Sequence, residues 1–452
     1  MNNVTEPRRA PWKEIFGWAM FDFANSSYTT VIITVVYSVL FPNVIVGDGP
    51  EYKMGLLYWS LALCISYGLV VVTAPVLGAV MDFTAAKKTF LFASYVVTVI
   101  ATSALYFVEP GGILLAVVLV VISNYGFAAG ESFAAAFLPD LGGPKDLGKI
   151  SGFAWGLGYF GGITAAGLAV GLLGPQTLDN YDRQRWVGPL TGVFFCLAAI
   201  PTFVLLKNRG QARSLPTGEN YFTLGFHQLM ATFREIRVYR DLLALLVSLF
   251  FSFAGLAIII TFTFNYGDKV IHWSPSTQVL MFVLSNIAAA FGAIVFGFLQ
   301  DRVGCKLTYS LTLVLWVMAI GLIYGVETIG GQLNRWLGTS WETQQVFLGI
   351  GSLAALCMGA TQSAGRALVG LFSPPDKAGE FFGLWGLSGK LAAIAGILSL
   401  GLLQVRFGLK TSILLTSILF ILSLVSACFV NEQRGRNTAS AKTILDPSQT
   451  GP

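Results

Sequence analysis

Long apolar stretches recur from one end of the chain to the other, separated by short polar and basic loops. Each stays apolar for about 20 residues, the length a helix needs to cross the hydrocarbon of a membrane. None alternates over about 10 residues, as the strands of a membrane barrel would. Read this way, twelve spans fall at roughly 14–41, 56–80, 89–108, 112–138, 150–173, 187–206, 241–267, 276–299, 307–326, 344–370, 380–403 and 411–430. The first stretch, WAMFDFANSSYTTVIITVVY from Trp18 to Tyr37, holds Asp22, with Asn25, Ser26 and Thr29 at offsets of three, four and seven. On a helix these four share one stripe. An ionisable group inside a span costs about 2.5 to 3.5 kcal/mol on insertion scales, so Asp22 needs a partner or a wet cavity.

Composition agrees with the pattern. The 452 residues are 55% hydrophobic and 11% charged, whereas soluble chains carry about 25% charged residues. The first apolar run is too long for a cleavable signal and is interrupted by Asp22, so it is expected to stay as a helix. Cys64, Cys196, Cys305, Cys357 and Cys428 are scattered without CxxC spacing, and the two His (His227, His272) stand far from any Cys cluster. That spacing excludes a disulfide framework and a His-based metal site. There is no Walker loop and no nucleophile elbow, which argues against an enzyme, a cofactor site or an ATP-driven pump and leaves a gradient-driven carrier.

With the N-terminus inside, nineteen Lys and Arg fall in loops on that side and seven on the other. This positive-inside bias predicts an integral protein of a bacterial inner membrane with both termini in the cytoplasm, and explains the net charge of +5 without nucleic acid. Residues 1–206 form one six-span half and 241–430 the other. Between them, 207–240 is expected to hold an amphipathic helix on the cytoplasmic membrane lipids, with Phe226, Leu229, Met230, Phe233 and Ile236 on one side and Arg234, Arg237 and Arg240 on another. The polar tail 431–452 reads as disordered.

The halves repeat. Phe21-Asp22-Phe23-Ala24 returns as Phe251-Ser252-Phe253-Ala254, GAVMDFTAAKK from Gly78 as GFLQDRVGCK from Gly297, and GKISGFAWGLGYFGG from Gly148 as GEFFGLWGLSGK from Gly379. Three matches in one order indicate two related six-helix bundles. Gly297, Asp301, Arg302, Gly304 and Lys306 resemble the cytoplasmic signature loop of the major facilitator superfamily. The first copy keeps Gly78, Asp82, Lys87 and Lys88 but has Phe83 and Ala85 where the family usually has Arg and Gly. WAMFDFANSSY, FLPDLGGPKDLGKISGFAWGLGYFGG and RALVGLFSPPDKAGEFFGLWGLSGK resemble its vacuole-effluxer-like branch, whose founding member is described as a vacuolar amino-acid exporter. The resemblance runs from Trp12 to about Val430. It implies an all-α membrane protein, with twelve transmembrane helices in two pseudo-symmetric six-helix bundles, working by alternating access as a monomer. By pseudo-symmetry, Asp82 is expected near the start of span 11 and Asp301 near the start of span 5. There a carboxylate meets a helix N-terminus and, with Arg302, gates the cytoplasmic side. A topology-setting turn with Lys anchors is the plainer reading of the same loops.

Four charges lie within spans: Asp22, Glu131, Arg366 and Lys390. Glu131 shares a helical face with Asn124, and Arg366 with Gln362. Together with Thr29, Tyr159, Asn265 and Trp385 they are candidates for a cavity with acid on one wall and base on the other. Such a cavity suits a zwitterion or small anion, with Asp22 or Glu131 able to carry a proton. The same charges also fit structural ion pairs. The expected function is secondary transport of a small polar organic solute, an amino acid on the family resemblance, with protons as the candidate coupling ion. The alternatives are a carrier of amphipathic, lipid-like molecules or drugs, and a non-transporting membrane sensor. The glycines Gly148, Gly152, Gly156, Gly158, Gly162, Gly167 and Gly171, with Gly379 and Gly383, are expected to form close-packing ladders.

Overall fold

The computed structural model describes residues 9–47, 53–213, 220–234 and 237–444. The described residues form helices and no strands. In hydrocarbon a backbone must satisfy its own polar groups, and an uninterrupted helix does so within one segment. The helices are α1 (Trp12–Ser27), α2 (Lys53–Phe83), α3 (Lys87–Ala104), α4 (Ile113–Ala135), α5 (Leu147–Leu173), α6 (Val187–Ala198) and α7 (Tyr221–Arg234). They continue as α8 (Arg240–Tyr266), α9 (Pro275–Val303), α10 (Cys305–Tyr324), α11 (Val326–Leu337), α12 (Thr343–Phe372), α13 (Ala378–Leu415), α14 (Ser417–Cys428) and α15 (Glu432–Ile444), besides short turns. Eleven helices are long and apolar enough to span a membrane, or up to twelve when the bent pair Leu402–Leu415 and Ser417–Cys428 counts as one span. That pair falls where the twelfth span is expected. Gly408, at φ 75°, breaks α13 within the first member of the pair, a conformation that costs glycine little.

The chain divides into two compact units. The first comprises Met1–Gly143, Leu157–Arg234 and Ser373–Leu387; the second comprises Pro144–Gly156, Glu235–Phe372 and Ser388–Pro452. Each unit thus holds most of one repeat plus the opening turns of a helix from the other.

Inside the first unit, Trp18 of α1 donates its indole N–H to the Ala134 carbonyl of α4 at 2.7 Å, and Tyr28 stacks on Phe127 at 5.0 Å. In the second, Trp316 of α10 stacks on Phe420 of α14 at 4.9 Å. Tyr309 shares its hydroxyl with Ser248, Ser252 and Ser423, all fully buried. The close-packing role of the α5 glycines holds from its start to its middle, where Gly158 borders Asp22 and Ser26, and fails toward its end. A Cβ at Gly148 would lie 2.6 Å from the Gly297 carbonyl oxygen, whereas at Gly167 and Gly171 it would meet nothing within 4 Å.

The two repeats carry the same clasp at the ends of their first and sixth spans. In the first unit, the buried Glu14 of α1 accepts from the Lys207 backbone N–H at 3.2 Å and pairs through both oxygens with Arg209 at 2.6 and 2.8 Å. The Lys88 ammonium closes the same corner on the Leu206 carbonyl at 3.0 Å. In the second, Asp241 of α8 accepts from the Asn431 N–H at 2.8 Å and pairs with Arg434 at 2.6 and 2.7 Å. There Lys306 reaches the Cys428 carbonyl at 3.3 Å. The hydrogen bond to Glu14 holds the Arg209 pKa above its ordinary value, and the one to Asp241 does the same for Arg434.

The tail departs from the disorder expected of it, since Glu432–Ile444 is helical. Its composition is polar because its anchors are polar. Glu432 accepts from the Cys305 and Lys306 N–H groups that open α10, Arg434 holds Asp241, and Gly435 packs on the Phe372 ring. Residues 445–452 of that tail lie outside the described residues. In the linker, α7 buries Leu224, Gly225 and Leu229, with Gly225 against Val76 and Val80 of α2, while Tyr221, Phe226 and Met230 stay exposed. Ile236 and the Phe233 side chain lie outside the described residues.

Glu14→Gln keeps the shape of the first clasp and removes its charge. Hydrogen bonds to charged groups are worth about 1.5 to 3 kcal/mol when buried, and screening of the part-exposed Arg209 brings this to about 1 to 2 kcal/mol. Thermal unfolding in detergent is therefore expected to show a midpoint lowered by roughly 1 to 2 °C, since a chain of this length has a large unfolding entropy. In the Arg209→Gln background, the same substitution is expected to cost less.

Candidate functional site

The signature loops are best described from the helix ends they join. Asp82 closes α2, and its two oxygens accept from the backbone N–H groups of Gly379 at 2.8 Å and Glu380 at 2.9 Å. Asp301 closes α9 and accepts from Gly148 at 2.9 Å and Lys149 at 3.0 Å. Each contact lies within one compact unit. In both, the carboxylate takes the second and third N–H groups of a helix, donors with no partner inside that helix, and stands at its positive end. The positions are those the repeat predicts. Arg302 is exposed and takes no part in the contact.

The backbone after each carboxylate must turn sharply. Gly304 does so at φ 107°, and Ala85, at the same place in the first copy, adopts φ 50°. The missing family glycine therefore leaves the turn intact, with the left-handed conformation costing an alanine about 1 to 2 kcal/mol.

Lys87, the other charge of the first loop, is an internal group. It is buried, forms an ion pair with Asp140 at 2.9 Å, and donates to the Ala136 carbonyl at 3.1 Å and the Pro375 carbonyl at 3.5 Å. Sequence reasoning read it as a positive-inside anchor and did not single out Asp140. The signal was Asp140 on the loop that follows span 4, within reach of a lysine at the start of span 3.

The polar stripe of α1 divides in the fold. Asp22 is half-buried, with Ser26 donating to its carbonyl at 2.8 Å, and both border Gly158 of α5. Asn25 is buried and lies on the helical face of Trp18, Phe21 and Tyr28, which packs on α4; its Oδ1 has no hydrogen-bond partner. Thr29 lies beyond the α-helical part, in a wider π-helical segment (Tyr28–Val35), where Thr34 donates to its carbonyl at 2.9 Å.

Of the other candidates in the first unit, Asn124 is fully buried and donates to Ser66 at 2.6 Å, so it joins α4 to α2. Glu131 and Tyr159 are half-buried, and Trp385 is buried edge-on to Phe382 at 5.8 Å. In the second unit, Gln362 and Lys390 are half-buried, and the side chain of Asn265 lies outside the described residues. Arg366 is buried. It donates from Nε to Ser151 Oγ at 3.1 Å and from Nη2 to the Ser151 carbonyl at 3.0 Å, and lies 5.2 Å from the Trp155 ring centre. Ser151 in turn donates to the Ser363 carbonyl at 3.0 Å. The serines were missed because hydroxyls in spans read as small packing residues. Among the described residues, no group of three or more His, Cys, Asp or Glu could hold a metal.

The comparison with known families now decides the identity. The family profile described as "Vacuole effluxer Atg22 like" matches residues 58–440. The chain belongs to this family. It is 26% identical over 441 residues to the "Uncharacterized MFS-type transporter YxiO" of Bacillus subtilis, covering 96% of this chain and 98% of that protein. To "Autophagy-related protein 22-1" of Aspergillus niger it is 24% identical over 307 residues, covering 64% of this chain and 48% of that longer protein. Among solved structures it resembles the proton:xylose symporter XylE (TM-score 0.71, 12% identity, 96% and 98% covered). It also resembles the human organic anion transporter MFSD10 (TM-score 0.70, 16% identity, 92% and 100% covered). The fold is that of the major facilitator superfamily. This Atg22-like chain is an integral membrane transporter with a small-molecule substrate, not an enzyme.

Asp140→Ala leaves Lys87 charged and buried without its carboxylate, a loss of about 3 to 5 kcal/mol for a pair of this kind. Thermal unfolding is expected to show a large drop for this variant. The Lys87→Met, Asp140→Leu double variant is expected to recover much of it, because no charge is stranded.

Proposed function

We propose that this Atg22-like protein is a secondary carrier of a small polar organic solute, of the amino-acid class, working by alternating access. Asp82 and Asp301 serve as latches of the cytoplasmic side in this reading. What carries it is the matched pair of carboxylate contacts on the second and third N–H groups of α13 and α5. A contact between one carboxylate and a helix end can be released and remade without stranding more than a single charge, which suits a gate. The half-buried acids Asp22 and Glu131 and the bases Arg366 and Lys390 support a zwitterionic substrate, since such a solute needs groups of both signs. Asn25, Thr29, Asn124, Tyr159, Asn265, Gln362 and Trp385 are its candidate neighbours.

Proton coupling through Asp22 or Glu131 completes the proposal. One charge crossing 100 mV is worth about 2.3 kcal/mol, roughly a fiftyfold concentration ratio, so one titrating acid suffices. The membrane we assign is the bacterial plasma membrane, with both termini cytoplasmic, on the distribution of Lys and Arg.

The substrate is to be found by a thermal-shift screen of metabolites, then followed by flux into proteoliposomes with and without a pH gradient. Asp22→Asn or Glu131→Gln is expected to abolish the stimulation by the gradient; wild-type rates in both remove them from coupling. A charge at a helix end is worth about 0.3 to 2 kcal/mol. Asp301→Asn is therefore expected to shift the inward to outward ratio by roughly 2- to 30-fold, read by site-specific accessibility labelling. An unchanged ratio and an unchanged rate would leave the two loops as topological turns.

A further inference from the structure

One exposed apolar surface is not accounted for by the transport machinery. Helix α11 lies between the spans α10 and α12, on the side of the membrane away from the chain termini. Its residues Val326, Ile329, Leu333, Trp336 and Leu337 share one face by their spacing, while Thr328, Gln332 and Arg335 lie opposite. The first half of the apolar face is covered. Val326 is fully buried, and Gly330 packs against Val346 of α12. The second half is bare: Trp336 is 92% exposed, Leu337 56%, and Trp341 in the following turn 46%.

The bare half is held rigidly. Asn334 Oδ1 accepts from Thr339 Oγ1 and from the Trp341 N–H, both at 2.9 Å, and its Nδ2 donates to the Trp341 carbonyl at 2.8 Å. At the other end, Glu327 is paired with Lys410 at 2.6 Å. The span that leads into α11 also presents an exposed apolar stripe of the kind that meets lipid. On α10, Leu307, Leu311, Val314 and Met318 form one exposed stripe, and exposed Tyr324 stands two residues before α11 begins.

We propose that α11 is an interfacial helix that lies in the headgroup region of the leaflet away from the termini, with Trp336, Leu337 and Trp341 inserted at the headgroup–acyl boundary. The indole is suited to that layer, because its ring is apolar and its N–H needs a polar partner. An amphipathic helix with large apolar residues on one side and polar residues on the other takes this orientation. The polar face, with Arg335 and Gln332, then meets water and phosphate.

The test uses the full chain in nanodiscs of phosphatidylcholine, one chain per disc. The acyl chains are brominated either close to the headgroup or near the chain end. The chain has ten Trp, so the emission of interest is the difference between wild type and the Trp336→Phe, Trp341→Phe variant. Phenylalanine keeps the apolar face, and these exposed positions leave the unfolding midpoint unchanged. The difference emission is expected to be quenched about twofold more strongly by the shallow bromines than by the deep ones, as indoles at headgroup depth require. No quenching by either lipid would mean that water or another protein covers the face, and would overturn the proposal. Stronger quenching by the deep bromines would also overturn it, because it would place the indoles in the hydrocarbon.

Discussion

A carboxylate at the end of a membrane-crossing helix and the free N–H groups at the start of another share one difficulty. Neither can afford to stand unpartnered where water is scarce. Leaving a charge buried and unpaired costs several kcal/mol, and the first N–H groups of a helix have no partner within it. The contacts of Asp82 with Gly379 and Glu380, and of Asp301 with Gly148 and Lys149, remove both costs at once. Much nearby sequence follows from this. A Cβ at Gly78 would overlap the Gly379 carbonyl, and one at Gly148 the Gly297 carbonyl, so glycine is what lets the helix ends come close enough for the carboxylates to reach. The signature loop is therefore one physical unit: a small residue for approach, an acid for the helix end, and a left-handed turn to bring the next helix back.

The same economy governs the clasps, although their sequences differ. Glu14 and Asp241 open the first helix of each repeat, and each binds a backbone N–H and an arginine that follow the sixth span. After the first clasp the chain runs on into the linker. After the second it continues as α15, whose Glu432 caps α10. One repeated interaction thus fixes how the chain leaves each half, and the continuation is free to diverge.

Spans and repeats were legible in the sequence because hydrocarbon demands about 20 apolar residues and because Gly, Asp and Lys recur at nearly constant offsets. The Asp82 and Asp301 contacts were legible for the same reason, since pseudo-symmetry says where each partner lies. Three features were not. The π-helical segment after Ser27 leaves the apolar pattern of Tyr28–Val35 unchanged, so the change of pitch could not be read from it. The α15 helix depends on Arg434, Glu432 and Gly435 meeting distant residues, and its polar composition hides that. Lys87 resembled every other loop lysine until its partner Asp140 was placed beside it.

The repeat is most informative where it fails. Phe21 and Phe23 have counterparts in Phe251 and Phe253, yet Ser252 stands in place of Asp22. Ser252 is sealed within the hydroxyl cluster of Tyr309, Ser248 and Ser423, each with a partner from another helix. That cluster accounts for the polar group at 252 by packing alone. Asp22 is half-buried instead, and Ser26 donates to its backbone carbonyl. A symmetric structural role would require the same burial in both halves. The two positions therefore differ in burial, and the packing that accounts for Ser252 does not account for Asp22. An acid inside a span carries an insertion cost that a serine does not, so the two halves differ here in energetics as well as in packing.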